Sequence, residues 1–184
     1  MPKEVGPDRG IEPAARELVI TRTFDAPRKL VFEAFIDPQH LMKWWGPHGC
    51  TVISCEADPR PGGTWCISMR SPRVLPQFVQ RYPINSGSPS ELWTVERQQG
   101  VYREVIKPER LVFTYAFEDD VGRPLHQTVV TVSFAEEGSR TKVTLHQAIF
   151  ETVTARDDHV RGWTEALEHL AAYLVQVSPA TSDG

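Results

Sequence analysis

The sequence predicts an α+β fold in which a curved antiparallel sheet of about seven strands wraps around one long C-terminal helix. Several segments alternate apolar and polar residues, as half-buried strands do, and the last long segment carries apolar residues at helical spacing. Short connections join the alternating segments, which is typical of antiparallel neighbours. Two short helices are expected after the first strand, where aspartate and proline mark helix starts.

The length and composition fit one domain. The chain has 184 residues, of which 40% are hydrophobic and 24% are charged. We expect a flexible lead over residues 1–16, the domain over 17–177 and a flexible tail over 178–184. No segment approaches the ~20 apolar residues of a membrane span, and the N-terminus lacks the apolar stretch of a secretory signal. A cytoplasmic location is therefore expected.

Charge and cysteine content exclude several classes of site. The 20 basic and 24 acidic residues give a net charge of −4, and the basic residues do not cluster, which argues against nucleic-acid binding. Three cysteines, Cys50, Cys55 and Cys66, do not suggest a disulfide framework. Together with His48 they match no zinc spacing. No metal and no cofactor is expected.

The first strand and the first helix follow directly from the pattern. Residues 17–24 alternate, so that Leu18, Ile20 and Phe24 share one face with Arg22. Pro27 then suits the first position of a helix, since proline at that position lacks only an N–H that would have no partner.

The remaining strands are predicted at 51–58, 64–69, 101–106, 111–117, 126–134 and 141–149. In the first of these, Ile53 shares a face with Cys55. Residues 71–90 contain four prolines and no clear period, which indicates an inserted surface loop. The long helix begins near Thr154 as its N-cap and presents one apolar stripe, made of Val160, Trp163, Leu167, Leu170, Leu174 and Val177.

Two adjacent tryptophans end the second short helix, which opens at Pro38 and stops at Gly46-Pro47. Adjacent helical residues point in different directions, so the two rings cannot both face the core. Trp45 lies four residues after Leu41 and is expected on the core side. Trp44 is expected at the mouth of a cavity, where an amphipathic ring is well placed.

A helix that crosses a curved sheet leaves space beside it, and small-molecule pockets form in such spaces. Alternation directs one set of side chains from the sheet into this space, with the long helix facing them. The residues expected there are Trp65, Ile67, Met69, Phe113, Tyr115 and Trp163. Ordinary core packing is the alternative for each of them.

Polar and special residues add to the candidate pocket. Arg22 interrupts an apolar face and would need a partner such as Glu104 if it were buried; otherwise its charged end reaches water. His126 shares the inward face of its strand, where an imidazole could bind or transfer a proton, although a half-exposed loop position is the alternative. Gly162 costs about 1 kcal/mol in a helix, which close approach to a neighbour or a ligand would explain.

The order of these segments resembles a known family. ITRTFDAPRKLVFEAFIDPQHLMKWWGP, PGGTW, GVYREVIKPERLVFTY and GWTEALEHLAAYL are similar to segments of bacterial proteins related to the activator of the heat shock protein 90 ATPase, which belong to the START-like, helix-grip superfamily. The similarity spans about residues 17–175. It implies the helix-grip fold. Co-chaperone members carry a further N-terminal domain, whereas only a short polar lead precedes the first strand in this sequence.

Three functions are compatible with the predicted fold and cavity. The first is a binding protein for a small, largely apolar ligand held between the sheet and the C-terminal helix. The resemblance also implies an interaction module that regulates a partner chaperone ATPase. A pocket enzyme of the cyclase or hydrolase type is the third; the sequence carries no nucleophile elbow, zinc-protease motif or phosphate loop, and no catalytic set is predicted.

Overall fold

The computed structural model of the chain describes residues 13–72 and 93–178. Its strands are β1 (Leu18–Phe24), β2 (Thr51–Ala57), β3 (Thr64–Pro72), β4 (Trp93–Ile106), β5 (Arg110–Phe117), β6 (Thr128–Glu137) and β7 (Arg140–Ala148). Its helices are α1 (Arg28–Ala34), α2 (Pro38–Trp44) and α3 (Val153–Val177). A single 3-10 turn, Pro13–Arg16, precedes β1, at the end of the segment that we expected to be a flexible lead.

The strands form one antiparallel sheet in the order β1-β7-β6-β5-β4-β3-β2. From β2 to β7 each strand pairs with the next one in the chain, and β1 closes the row by pairing with β7. The predicted α+β architecture, with about seven strands and a long C-terminal helix, is confirmed. One face of this sheet is covered by α3, whose buried residues are Trp163, Ala166, Leu167, Leu170 and Leu174.

The two short helices close one end of the sheet. Phe32 in α1 and Phe35, the C-cap of α1, pack against Phe134 of β6, with ring centroids 5.1 and 5.3 Å from that of Phe134. Asp37 caps α2 by accepting a hydrogen bond from the backbone N–H of Gln39, at 2.7 Å. Pro38 then occupies the first turn, as predicted. Pro27, by contrast, is the N-cap of α1 rather than its first helical residue.

Departures from the prediction in the long helix, in β2 and in β4 affect the description of the site. The N-cap of α3 is Thr152, which accepts a hydrogen bond from the N–H of Ala155 at 3.1 Å, so the helix begins earlier than the Thr154 cap implied. A β-bulge between Val52 and Ser54 changes the alternation of β2, and Ile53 is therefore 48% exposed while Val52 is buried. The third difference is β4, which begins at Trp93 instead of residue 101.

The predicted loop at 71–90 falls mainly on residues 73–92, which lie outside the described residues. Ser71 and Pro72, at its start, belong to β3 and pair with Thr94 and Trp93. Residues 179–184 of the predicted tail also lie outside the described ranges. Within 13–72 and 93–178, no helix combines the length and apolar character needed to cross a membrane.

Candidate functional site

An open cavity of about 390 Å³ lies between the sheet and the first half of α3. We call it the main cavity because it borders the long helix and not because of its size, since a space of about 500 Å³ lies beside β4 and the segment after β5. Its apolar wall comes from the end of α2, from β3 and β5, and from α3, and consists of Trp45, Met69, Tyr115, Phe117, Trp163 and Ala166. Its polar groups lie on β4 and at the start of α3, and are Glu96, Gln98, Thr152, Thr154, Asp158, His159 and Arg161. Aromatic surface therefore faces the open space, with polar groups confined to two sides.

Trp45 reaches the main cavity because α2 ends one residue before it. Its backbone is extended, with φ −64° and ψ 137°. Gly46 follows with a φ of +99°, a conformation that residues with a Cβ rarely adopt. A Cβ on Gly46 would also collide with the sulfur of Met69. Glycine thus allows the chain to pass close to β3 directly after the Trp45 ring.

Trp45 is the centre of an aromatic cluster. Its ring centroid lies 5.0 Å from that of Trp163 on α3, 5.8 Å from that of Trp65 on β3 and 5.5 Å from that of Trp44. Tyr115 lies 6.5 Å away in a stacked orientation. Edge-to-face and offset pairs at these distances each add roughly 0.5–1.5 kcal/mol to the stability gained from burial. The cluster links α2, the sheet and α3 around the cavity.

Each of the two cavity tryptophans donates its indole N–H to a glutamine. Nε1 of Trp45 donates to Oε1 of Gln98 on β4, at 2.8 Å. Nε1 of Trp163 donates to Oε1 of Gln147 on β7, at 2.7 Å. Nε2 of Gln147 in turn donates to Oγ1 of Thr128, at 2.8 Å. Since both indole donors are already used, these rings present apolar faces to the cavity.

The first turns of α3 form the polar rim of the main cavity. Arg161 donates from Nη2 to Oδ1 of Asp158, at 3.0 Å. Nδ1 of His159 lies 2.8 Å from the carbonyl oxygen of Ala155, and because a carbonyl only accepts, Nδ1 carries the proton. The imidazole ring packs against Phe150, with centroids 4.9 Å apart. The rim therefore contains a paired acid and base and an oriented histidine.

A second, much smaller cavity of about 10 Å³ lies behind Trp45. Its lining includes Trp65, Ile67 and Phe113, together with Cys55. This volume is at the lower limit for one water molecule. These residues are therefore packed core, and the Trp45 ring separates them from the main cavity.

The structure divides the residues predicted for the pocket into three groups. Met69, Tyr115, Gly162 and Trp163 line the main cavity. Trp65, Ile67 and Phe113 line the small cavity instead. Trp44 and His126 line neither of them.

Both adjacent tryptophans belong to the buried core, contrary to the expectation that only one ring could face it, and the cavity position predicted for Trp44 is occupied by Trp45. Trp44 is 1% exposed and donates its indole N–H to the carbonyl oxygen of Ala34, at 2.9 Å. Its ring packs against Phe35 of α1, with centroids 4.9 Å apart. The prediction failed because it applied the i, i+4 rule to Trp45, which lies beyond the end of α2. The tryptophan that leaves the helix, not the last one inside it, borders the main cavity.

The predicted polar pair of Arg22 and Glu104 does not form. Arg22 lies on β1, with its guanidinium carbon 5.8 Å from the centroid of the Phe24 ring. Glu104 lies on β4 and pairs with Arg110, at 2.7 Å. Three strands, β7, β6 and β5, separate β1 from β4, so strand order excludes the pair.

Two further expectations are corrected. His126 is exposed, and its Nε2 hydrogen-bonds to the carbonyl oxygen of Ile149; it precedes β6 rather than lying on its inner face. Gly162 does line the main cavity, but the close approach predicted there is absent. A Cβ on Gly162 would meet no atom of the described residues within 4 Å.

Sequence reasoning missed Glu96, Gln98, Phe117 and His159 as lining residues. The first two lie on the part of β4 that was not predicted as a strand. Along β4 the inward positions are Glu96, Gln98, Gly100 and Tyr102, so polar side chains occupy places where a strand normally shows apolar ones. Buried and exposed positions alternate along this part of β4, but the buried positions lack the apolar residues from which a strand is normally predicted.

The thiol groups near the site are kept protonated. Burial raises the pKa of the Cys55 thiol to about 11, and the neighbouring Cys66 adds to the rise. Burial also raises the pKa of Cys50, although a hydrogen bond from Oγ of Ser71 opposes that rise. Thiols in this state are poor nucleophiles. In the described parts of the chain, no cluster of three or more His, Cys, Asp or Glu side chains could hold a metal ion.

Comparison with known proteins identifies the family. The model of the family described as "Activator of Hsp90 ATPase homolog 1-like protein" matches residues 25–74 and 85–175. The chain belongs to this family. No curated protein matches the sequence significantly.

Solved structures share the fold of this chain. An AHSA1 protein from Silicibacter pomeroyi superposes with a TM-score of 0.69 at 23% identity, covering 87% of this chain and 98% of the other. A protein from Arthrobacter aurescens gives 0.70 at 24% identity, with 94% of each chain covered. One from Chromobacterium violaceum gives 0.66 at 25% identity, covering 86% and 96%. The helix-grip fold that the sequence predicted is therefore confirmed.

Proposed function

We propose that this protein binds a small, largely apolar ligand in the main cavity between the sheet and α3. The observation that carries the proposal is the cavity itself, whose volume of about 390 Å³ lies within the roughly 300–1,000 Å³ typical of small-molecule sites. Packed protein interiors contain few voids larger than a water molecule. A space of this size beside a well-packed core suits a ligand better than it suits core packing.

The chemistry of the wall supports an apolar, ring-containing ligand. Trp45, Trp163, Tyr115 and Phe117 all border the space, and the two indole N–H groups are bonded to glutamines. Aromatic faces without free donors hold water weakly and favour contact with apolar or aromatic surface. Transfer of such a ligand from water is favourable by roughly 25 cal/mol for each Å² of apolar surface buried.

The proposal is tested by detecting a ligand and then filling the cavity. Native mass spectrometry of freshly purified protein should reveal a retained small molecule. Independently, 2-acetylnaphthalene should bind in the micromolar range when titrated into ¹⁵N-labelled protein and followed by NMR. Gly162→Phe should then weaken this binding at least tenfold, since the side chain at 162 has open space before it.

Gly162→Ala is the matched control, because it changes the same backbone position but adds only one methyl group. It should bind the probe as the natural protein does. Retention of full binding by a folded Gly162→Phe variant would contradict a ligand site in the main cavity. A several-fold stimulation of an Hsp90 ATPase, with no retained molecule and no probe binding, would favour the partner-regulating alternative.

A further inference from the structure

The two tryptophan–glutamine pairs beside the main cavity differ in the number of hydrogen bonds that the glutamine amide makes. Both polar atoms of the Gln147 amide have a hydrogen-bond partner, since Oε1 accepts from Trp163 and Nε2 donates to Thr128. In Gln98, Oε1 accepts from Trp45, but Nε2 has no acceptor within residues 13–72 and 93–178. An indole N–H only donates, so the atom of the Gln98 amide that faces Trp45 must be the oxygen. The NH₂ group of Gln98 therefore points away from the Trp45 indole.

The position of Gln98 makes this difference informative. Gln98 is 3% exposed and lines the main cavity, whereas Gln147 is 0% exposed and is not a lining residue. Buried polar groups in native proteins nearly always have a hydrogen-bond partner, because an unmet donor costs roughly 1–3 kcal/mol. The Gln98 NH₂ group has no acceptor among the described residues and is not one of the fully buried unpaired atoms, so it reaches the open space and can donate to a partner that occupies it.

We infer that Gln98 determines ligand specificity by donating a hydrogen bond from Nε2 to a neutral acceptor, such as a ketone, ester or amide carbonyl, attached to an apolar ring system. This inference rests on the proposed function. A neutral acceptor is favoured over a carboxylate because the described lining carries two acidic side chains, Glu96 and Asp158, against one guanidinium, that of Arg161. The ring system would lie against Trp45.

Three naphthalenes of nearly equal shape separate these possibilities. 2-Acetylnaphthalene carries a carbonyl acceptor, 2-ethylnaphthalene carries none, and 2-naphthoate carries a charged acceptor. One neutral hydrogen bond corresponds to roughly a three- to tenfold change in affinity. We therefore expect the ketone to bind about three- to tenfold more tightly than the ethyl compound, and 2-naphthoate to bind more weakly than the ketone.

The side-chain NH₂ resonances of Gln98 provide a direct readout in the same NMR titration. They can be assigned by their loss in Gln98→Met, and they should shift with the ketone but much less with 2-ethylnaphthalene. In Gln98→Met the preference for the ketone should disappear. Gln98→Glu retains an acceptor for Trp45 and exchanges the NH₂ group for oxygen, so it should also lose the preference if Gln98→Met fails to fold.

Gln147→Met is the matched control, since it removes the acceptor of the other cavity tryptophan and leaves the Gln98 amide unchanged. It should keep the ketone preference. Equal affinities for the ketone and the ethyl compound, or a preference that survives both Gln98 changes, would overturn the role of Gln98 while leaving the proposed function in place. Tightest binding of 2-naphthoate would overturn the neutral acceptor. Binding of none of the three would overturn both the inference and the apolar-ring ligand on which it rests.

Discussion

Replacing Trp44 with alanine should cost more stability than replacing Trp45, although the rings are adjacent. The Trp44 side chain is 1% exposed and borders neither cavity, so its removal leaves an enclosed void. Truncation of a buried tryptophan costs about 3–5 kcal/mol, and the cost rises with the void that remains. The carbonyl of Ala34 also loses its indole donor in a buried position. We therefore expect about 4–5 kcal/mol for Trp44→Ala.

Trp45→Ala should fall near the lower limit of the same range, about 3 kcal/mol. The space vacated by this ring joins the two cavities that it separates, so much of it becomes accessible to water instead of remaining an enclosed void. The same change removes one of the two indole rings that line the proposed ligand site. Binding of 2-acetylnaphthalene should therefore weaken at least tenfold in Trp45→Ala and change little in Trp44→Ala.

Urea unfolding followed by circular dichroism gives the two free energies, and thermal melts provide a second measure. For a domain of this size, about 2–4 °C of melting temperature corresponds to 1 kcal/mol, so Trp44→Ala should melt about 8–20 °C below the natural protein. Trp44→Phe is the control, since it retains a ring in the void and loses only the donor. A larger loss of stability in Trp45→Ala, or a larger loss of ligand binding in Trp44→Ala, would contradict these placements of the two rings.

Three other changes test separate features of the fold. Gly162→Ala should raise the free energy of unfolding by about 0.5–1 kcal/mol, because alanine is the better helix former and its Cβ meets no described atom; a loss of stability in urea would show that the backbone there needs glycine. Thr152→Ala should lower it by about 1 kcal/mol through loss of the α3 cap, while Thr152→Ser should retain the cap, and equal stabilities of the two variants would contradict this. Since the pKa of Cys55 is raised to about 11 from an ordinary 9.0, the folded state holds this proton more tightly than the unfolded state does, so its contribution to stability is full below pH 9 and is lost between pH 9 and 11. Unfolding measured across that range should show a smaller alkaline loss in Cys55→Ala than in the natural protein.

The sequence predicted the elements that follow simple periods. The alternation of 111–117 and 141–149 marks β5 and β7 to within one residue at each end, because apolar side chains occupy their inward positions. The long apolar stripe likewise identifies α3, although its first and last residues, Val160 and Val177, are exposed. The short connections between these segments correctly indicated antiparallel neighbours.

The candidate site was less predictable because it departs from those same patterns. Glu96 and Gln98 are polar residues on inward positions of β4, so the part of the strand that contains them lacked the expected hydrophobic alternation. Trp45 lies one residue past a helix, where helical spacing no longer determines direction. Arg22 and Glu104 were paired by charge alone, although the sheet places three strands between them. Residues that line the cavity thus depart from strand alternation and helical spacing, whereas the rest of the core follows these periods.

The aromatic cluster around Trp45 has an optical consequence. Four of the five tryptophans, Trp44, Trp45, Trp65 and Trp163, are connected by ring-centroid distances of 5.0–5.8 Å. At such separations, excitation absorbed by one indole passes to its neighbours before it is emitted. The fifth, Trp93, stands apart with the guanidinium of Arg70 over its ring, 4.8 Å from the centroid. A molecule that quenches the Trp45 ring should therefore lower the emission intensity of the entire cluster and leave that of Trp93 unchanged. Tryptophan fluorescence would then report whether such a molecule occupies the main cavity.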